Sequence, residues 1–313
     1  MDITLLKTFI EVAHTGSFKA ASDRLFVTQS AVSLRVQRIE TTLGKALFAR
    51  SKAGAELTPA GREFEKYAVS LIKLWEEARQ QIAIPQGYSQ SLSIGAQYSL
   101  WPRLGFRWLD ALQADSPQLS IRTEMGMPDR LMRFLIEGSV QVALMYTPQF
   151  RPGLRVEKLM EDELVMVASW PDPTLDVAGR YSFVDWGPEF VHAHASALPH
   201  LTSPGLTHGL EAMVAEYMIQ RQCAGYLPAR YVMRYLEEGR LHLVPDAPLF
   251  PYPVYAVWRD DLDPDVTRAA RSALQRVVSA VDATQGAILD ELRDLSEDAT
   301  LEILGQGAPP PQD

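Results

Sequence analysis

The apolar positions of the first ninety residues recur at helical spacing in three short runs and one long one. Asp2 is placed to cap a first helix whose Leu5, Phe9 and Val12 share one stripe, and Gly16 ends it. Ser17 opens a short second helix with Phe18, Ala21 and Leu25 on one side, and Thr28 caps a third that runs to Gly44. In this third helix Val32, Val36 and Ile39 form a narrow apolar stripe. The rest of its surface, with Gln29, Ser30, Ser33, Gln37 and Arg38, carries short hydroxyls, amides and guanidinium groups rather than a dense Glu/Lys face. Such side chains hydrogen-bond with little bulk, which suits a surface that touches another molecule.

Two short helices, a tight turn and a longer helix with a polar outer face are the layout of a helix-turn-helix, in which the second helix of the motif reads the major groove. A plain three-helix bundle with a polar surface has the same helix pattern. Residues 46–58, "ALFARSKAGAELT", break helical period and predict a hairpin, a wing with Arg50 and Lys52 at its tip where they meet phosphate or minor groove. Thr58-Pro59 is a strong helix start. From there Phe64, Ala68, Leu71, Trp75, Ala78 and Ile82 alternate spacings of four and three, a seam suited to pairing with a second copy. Pro85-Gln86-Gly87 closes the segment.

The pattern then changes class. "SLSIGAQYSL", "LSIRTEM" and "VQVALMY" predict strands alternating with helices at "PRLGFRWLDALQ" and "PDRLMRFLIEG", the signature of a parallel sheet with crossover helices. A second set follows: "ELVMVAS", "YSFVDWG", a helix near 207–220, "CAGYLP", a helix to Gly239, and "PVYAVWR". A helix over 263–281 returns to the first set. The expectation is an α/β chain in four parts: an all-α winged helix-turn-helix over 1–58, a linker and dimerisation helix with hinge over 59–90, a two-lobed domain over 91–281, and an extension over 282–313. Lobe I takes 91–161 and 260–281, lobe II takes 162–259, and the crossings lie near Asp162 and Arg259. The extension is expected to hold a short helix at about 287–304 and a disordered Pro-rich tail.

Composition narrows the function classes. With 47% apolar residues the chain is globular, and no apolar run is long enough to span a bilayer. Met1 leads straight into an amphipathic pattern rather than a signal peptide, and a single cysteine, Cys223, fits a reducing compartment, so a cytoplasmic, nucleoid-associated protein is expected. The net charge of −9 is uneven, because residues 1–90 hold 12 Lys+Arg against 9 Asp+Glu while the remainder is strongly acidic. Any attraction to nucleic acid is therefore confined to the N-terminal quarter. Phosphate-loop, dinucleotide, nucleophile-elbow and zinc-protease motifs are all missing, so no enzyme and no cofactor is expected. His192, His194, His200 and His208 crowd one stretch, but "HAHASALPH" lacks acidic or thiol ligands at metal spacing and reads as a solvated small-residue loop. Cys223 reads as a small buried apolar residue at a strand, not as a redox sensor.

Residues 17–61, "SFKAASDRLFVTQSAVSLRVQRIETTLGKALFARSKAGAELTPAG", resemble the N-terminal domain of LysR-type transcriptional regulators. The family pattern runs Ser-Phe-x-x-Ala-Ala, Thr-Gln-Ser-Ala-Val-Ser, Leu-Glu-x-x-Leu-Gly, Leu-Phe-x-Arg and Leu-Thr-x-Ala-Gly; this stretch has Ile39-Glu40 for Leu-Glu and Ser22 for the second Ala, and otherwise matches nearly throughout. The resemblance implies a regulator that binds double-stranded promoter DNA, with an effector domain resembling periplasmic binding proteins. It implies a homodimer or homotetramer, with RNA polymerase as a further candidate partner and no membrane contact. The resemblance carries DNA contact onto Gln29, Ser30, Ser33 and Arg50, and Thr28, Leu34, Arg35, Gln37, Arg38 and Lys52 complete the expected DNA-binding set. Leu34 stands where many members have a polar or basic residue. Leu100-Trp101, Asp185-Trp186-Gly187-Pro188 and Tyr226-Leu227-Pro228 resemble the HdfR branch, a group associated with flagellar-operon control.

Ligands of two-lobed α/β domains favour the crevice at the carboxyl ends of the strands. Gln97, Tyr98, Ser99, Tyr146, Thr147, Thr202, Ser203 and Tyr226 are the turn residues expected there, around a small polar or aromatic effector rather than a strong anion, since no arginine lies in those turns. The other reading is a DNA-bending architectural protein whose C-terminal lobes only oligomerise.

Overall fold

The computed structural model describes residues 2–51, 54–201 and 206–295, with side chains described for all of these except 50, 51 and 282–295. The chain separates into two compact units, residues up to 86 with 133–140 and residues 87–132 with those from 141 onward.

The first unit begins with α1 (Ile3–Thr15), α2 (Phe18–Leu25) and α3 (Gln29–Leu43). Their caps are local chemistry: the side chains of Asp2, Ser17 and Thr28 accept from the N–H groups of Thr4, Ala20 and Ala31. Gly16 and Gly44 end α1 and α3 in the left-handed region. Val32, Val36 and Ile39 are completely buried. The hairpin β1 (Phe48–Ser51) and β2 (Gly54–Leu57) pairs in register from Phe48 with Leu57 to Ser51 with Gly54. Phe9 joins the parts, its ring 5.2 Å from Phe48 and edge-on to Phe64 at 5.0 Å.

Two glycines are dictated by close approach. A Cβ on Gly54, whose φ is +135°, would stand 2.5 Å from the carbonyl oxygen of Gly16. One on Gly61, in the first turn of α4 (Pro59–Ile82), would overlap the carbonyl oxygen of Leu47. Thr58 locks the same corner by accepting from Gly61 N–H at 3.0 Å and donating to Ala46 O at 2.8 Å.

The α4 helix corrects the predicted seam. Ala68 and Ile72 are buried in the winged unit's own core, where Phe64 also packs. Outside lie Leu71, Trp75, Ala78 and Ile82, joined by Tyr67 and Leu74. The first half of the seam faces the winged unit's core, where Phe64 meets Phe9, and the second half is left exposed.

In the second unit β3 (Gln90–Ala96), α5 (Phe106–Asp115), β4 (Leu119–Met125), α6 (Pro128–Glu137), β5 (Val142–Met145) and β6 (Leu154–Met160) come first. Next in the chain are β7 (Glu163–Ala168), β8 (Phe183–Val184), α7 (Pro188–Ala197), β9 (Thr207–His208), α8 (Val214–Arg221), β10 (Ala224–Pro228), α9 (Ala229–Glu237), β11 (His242–Leu243) and β12 (Phe250–Pro251). Last come β13 (Val254–Arg259) and α10 (Pro264–Leu295). Lobe I holds a five-stranded sheet in the order β4-β3-β5-β13-β6, with β3 parallel to β4 and β5.

Four expectations change here. The strand "PVYAVWR" is β13, antiparallel to β5 and β6, so it belongs to lobe I. The second crossing therefore falls at Tyr252-Pro253 rather than Arg259, and Tyr252 N–H donates to Asp162 O at 2.7 Å to tie the two crossings together. The sheet around β7 in lobe II is antiparallel, since β10, β11 and β12 all run against β7, and the short β8–β9 pair beside it is parallel. The stretch at 207–220 opens as a strand, and its helix starts only at Val214. The C-terminal helix runs unbroken from Pro264 to Leu295, through Gly286, in place of two separate helices; the Pro-rich tail lies outside the described residues.

Candidate functional site

Two surfaces carry the chemistry, one in each unit. In the first, Thr28, Gln29, Ser30, Leu34, Gln37 and Arg38 are exposed on α3, and Ser33 is half-buried between them. They occupy the side opposite the Val32, Val36 and Ile39 stripe, which anchors the helix by burial and leaves this face free. Arg35 behaves differently: its Nη1 donates to Thr8 Oγ1 at 3.2 Å, so it braces α3 against α1. Arg50 lies on β1, paired with Ala55, and Lys52 lies outside the described residues.

Phe26, which sequence reading passed over, is 94% exposed beside this face and holds a positive φ of 53° as the residue closing α2. A bulky residue rarely adopts that backbone, and a fully exposed phenylalanine gains no burial in return. The sequence carries no signal for either feature, because both follow from how the turn is folded.

In the second unit the predicted turn residues partly converge. Gln97 is buried at the end of β3, where its Oε1 accepts from Tyr146 N–H at 2.8 Å and its Nε2 donates across the lobes to Glu211 Oε1. Ser99 Oγ donates to the Tyr146 hydroxyl at 3.1 Å. Tyr98 is half-buried, 6.3 Å ring to ring from Tyr231. Thr147 sits where a Cβ on Gly187 would touch its methyl at 3.9 Å. Thr202 and Ser203 lie outside the described residues.

Tyr226 is a correction. Its ring is fully buried among Phe190, His194 and Phe250, and its hydroxyl donates to Pro248 O at 2.9 Å. Strand alternation turns this side chain into the core of lobe II, away from the crevice.

Glu211, Tyr252, Trp186 and Asp162 complete the crevice, and sequence reading had given none of them a ligand role. Tyr146 and Tyr252 stack at 4.0 Å, and Trp186 meets Tyr252 edge-on at 5.4 Å. Glu211 is buried with a positive φ of 50°, a strained backbone of the kind found at ligand clamps. Burial raises its carboxyl to about 7 against the opposing hydrogen bond from Gln97. Burial likewise lifts Asp162 to about 7, with Arg230 opposing. Burial also holds the phenols of Tyr146 and Tyr252 well above their ordinary range. A cavity of about 20 Å³ lined in part by Ser99, Tyr146, Asp162 and Arg230 lies behind the stack, space for about one water.

The histidine stretch is also corrected. Most of "HAHASALPH" is α7, and His194 is fully buried with its Nε2 2.7 Å from the Tyr181 hydroxyl. Gly187 is the residue before this helix and Pro188 its first position. Burial lowers His194 to about 4, which keeps it neutral. Cys223 is half-buried and stands one residue before β10.

Residues 3–62 match the model of the bacterial regulatory helix-turn-helix protein, lysR family, and residues 85–279 match the LysR substrate binding domain. The chain is 30% identical over 266 residues to the HTH-type transcriptional regulator HdfR of Salmonella schwarzengrund strain CVM19633, covering 84% of this chain and 94% of that one. Among solved structures, full-length LysG from Corynebacterium glutamicum with bound effector Arg superposes with a TM-score of 0.52 at 19% identity, over 90% of this chain and 99% of that one. ArgP from Mycobacterium tuberculosis gives 0.51 at 22% identity, over 89% and 98%.

Proposed function

Given that the chain belongs to the LysR family of DNA-binding transcriptional regulators, we propose which of its residues read DNA, pair subunits and hold the effector. The outward face of α3 opposite its buried stripe carries the proposal. Gln29, Ser30, Ser33, Gln37 and Arg38 meet base edges in the major groove, Phe26 and Leu34 supply apolar contact to thymine methyls, and Arg50 and Lys52 of the wing meet phosphate. Arg35 acts through its brace on α1.

Pairing uses the exposed half of α4: Tyr67, Leu71, Leu74, Trp75, Ala78 and Ile82. A small effector enters between the lobes and displaces the contact between Gln97 and Glu211, with Ser99, Tyr146, Thr147, Trp186 and Tyr252 as its surroundings. Three aromatic faces, one amide and a buried carboxyl with no arginine in the same turns favour an uncharged polar or aromatic molecule over a strong anion. Opening that contact shifts the lobe equilibrium only as far as the effector prefers one arrangement.

The test is footprinting on genomic fragments selected by the protein, with and without a metabolite panel, in the wild type and in Ser99→Ala. A footprint that changes with a metabolite in the wild type but not in Ser99→Ala supports the crevice. A footprint that no metabolite alters defeats it.

A further inference from the structure

We propose that Arg133 of α6 is a positioning residue for DNA reading: it holds the buried carboxylate of Glu11, which in turn holds Arg24 at the end of α2. Residues 133–140, the end of α6 and the segment after it, belong to the compact unit that contains α1 to α4. The start of the same helix, residues 128–132, belongs to the other unit. One helix is thus shared, and its end is part of the DNA-binding unit. This role deepens the reading of α3 proposed above and depends on it.

Glu11 lies on α1 and is 4% exposed. A buried carboxylate is costly unless its charge is met, and here each oxygen takes one guanidinium. Arg24 Nη1 donates to Oε1 at 3.2 Å, and Arg133 Nη1 donates to Oε2 at 3.4 Å. Arg24 stands in the last turn of α2, beside Leu25 and just before Phe26, whose left-handed backbone closes that helix and turns the chain toward α3. Holding Arg24 therefore holds the start of the turn that aims the reading helix. Without Arg133, half of a buried carboxylate is left unmet. Glu11 must then swing toward water and draw Arg24 with it, which loosens the end of α2.

Further contacts seat the same segment. On α4, Glu76 is 5% exposed and meets Lys7 of α1 at 2.8 Å and Arg79 at 2.9 Å. One turn along, Gln80 Nε2 donates to Gly138 O at 2.8 Å. Glu137 is half-buried, and burial pushes its carboxyl up while Lys7 and Arg133 oppose the shift. Charge and backbone contacts together fix the end of α6. Its start lies beside a crevice loop: Gln149 Nε2, two residues after Thr147, donates to Asp129 Oδ1 at 3.4 Å. Asp129 and Arg133 are one helical turn apart. Movement of that loop is carried along a rigid helix to Arg133, and α3 responds as far as Arg133 releases Glu11.

The experiment measures binding of the full chain to a genomic fragment that it selects and to random DNA, with no metabolite present. Arg133→Gln is expected to weaken specific binding by about three- to tenfold and to leave random DNA unchanged. Arg133→Lys keeps the charge and should restore most of the affinity. In a Glu11→Gln background, Arg133→Gln should add nothing. Gln80→Ala unseats the segment without altering charge, should act in the same direction, and keeps the test decisive if Arg133→Gln impairs folding. Hydrogen exchange reads the end of α2 directly. The amides of Phe26 and Val27, which donate to Asp23 O and Ser22 O, should lose protection in Arg133→Gln while that of Val36 keeps it. Ser33→Ala run in parallel reports on α3 itself, so failure of the reading helix and failure of Arg133 are told apart. Unchanged specific binding in both Arg133→Gln and Gln80→Ala, an equal loss on random DNA, an additive effect over Glu11→Gln, or unchanged protection at Phe26 and Val27 would overturn the assignment.

Discussion

Gln97 and Glu211, 114 positions apart in the chain, meet across the two lobes through a buried hydrogen bond from the Gln97 amide to the Glu211 carboxyl. The same amide group accepts from Tyr146 N–H, so one side chain couples the end of β3, the turn after β5 and the strained turn before α8. The proton on Glu211 gives this junction a pH dependence. Its folded value of about 7 lies above the ordinary 4.5, so the folded state binds more protons between those limits. Stability from this group is present below pH 4.5 and is lost as pH rises through 7. Glu211→Gln is expected to remove its share, at most about 3 kcal/mol, and to raise the melting temperature relative to wild type at pH 8 but not at pH 4.5. Thermal unfolding across that range checks it, and parallel curves would show that Glu211 ionises freely.

His194 has the opposite sign. Its folded value of about 4 lies below 6.5, so the unfolded chain binds the extra proton and stability falls as pH drops from 6.5 toward 4. His194→Phe keeps a ring among Phe183, Phe190 and Phe250 while removing this sensitivity. The variant should lose stability at pH 7.5, where the Tyr181 hydrogen bond is missed, and recover up to about 3 kcal/mol relative to wild type near pH 4.5. Denaturant titrations at the two pH values measure the difference.

On α3, Gln29→Ala and Ser33→Ala are expected to cost about 1–3 kcal/mol at a specific site and little on random DNA. Arg50→Ala should weaken binding to both and reduce the salt dependence by about one phosphate contact. Phe26→Asn separates the two demands on that position. Asparagine tolerates positive φ, so stability should rise by roughly 0.5–1 kcal/mol while specific DNA affinity falls. A variant that binds as well as wild type would remove Phe26 from the interface.

The helix α4 offers a contrast between adjacent residues. Leu71→Asp and Trp75→Asp place charge on the exposed stripe and should yield folded protein that sediments as a monomer and binds DNA weakly. Ile72→Asp puts the same charge into the winged unit's core, where Ile72 is 1% exposed, and should unfold that unit. Circular dichroism with sedimentation distinguishes the two outcomes. An assembly unchanged by Trp75→Asp would move the subunit interface elsewhere.

The sequence by itself determined whatever depends on neighbours in the chain. Caps at Asp2, Ser17, Thr28 and Thr58, the buried stripe of Val32, Val36 and Ile39, and the alternation that builds β3, β4 and β5 are written within a few residues of where they act. The exposed face of α3 was legible for the same reason, since a helix with one apolar stripe leaves only one side to show. Tertiary structure alone decided the rest. A Val/Tyr-rich strand such as β13 pairs equally well in either lobe until the chain's path fixes its neighbours. Phe64 and Ala68 obey the same spacing as Leu71 and Trp75, yet only packing against Phe9 turns the first pair inward. Glu211 and Tyr252 reach the crevice from segments with no motif, because a buried carboxyl's role depends on what surrounds it in space, and those surroundings come from residues far away in the chain.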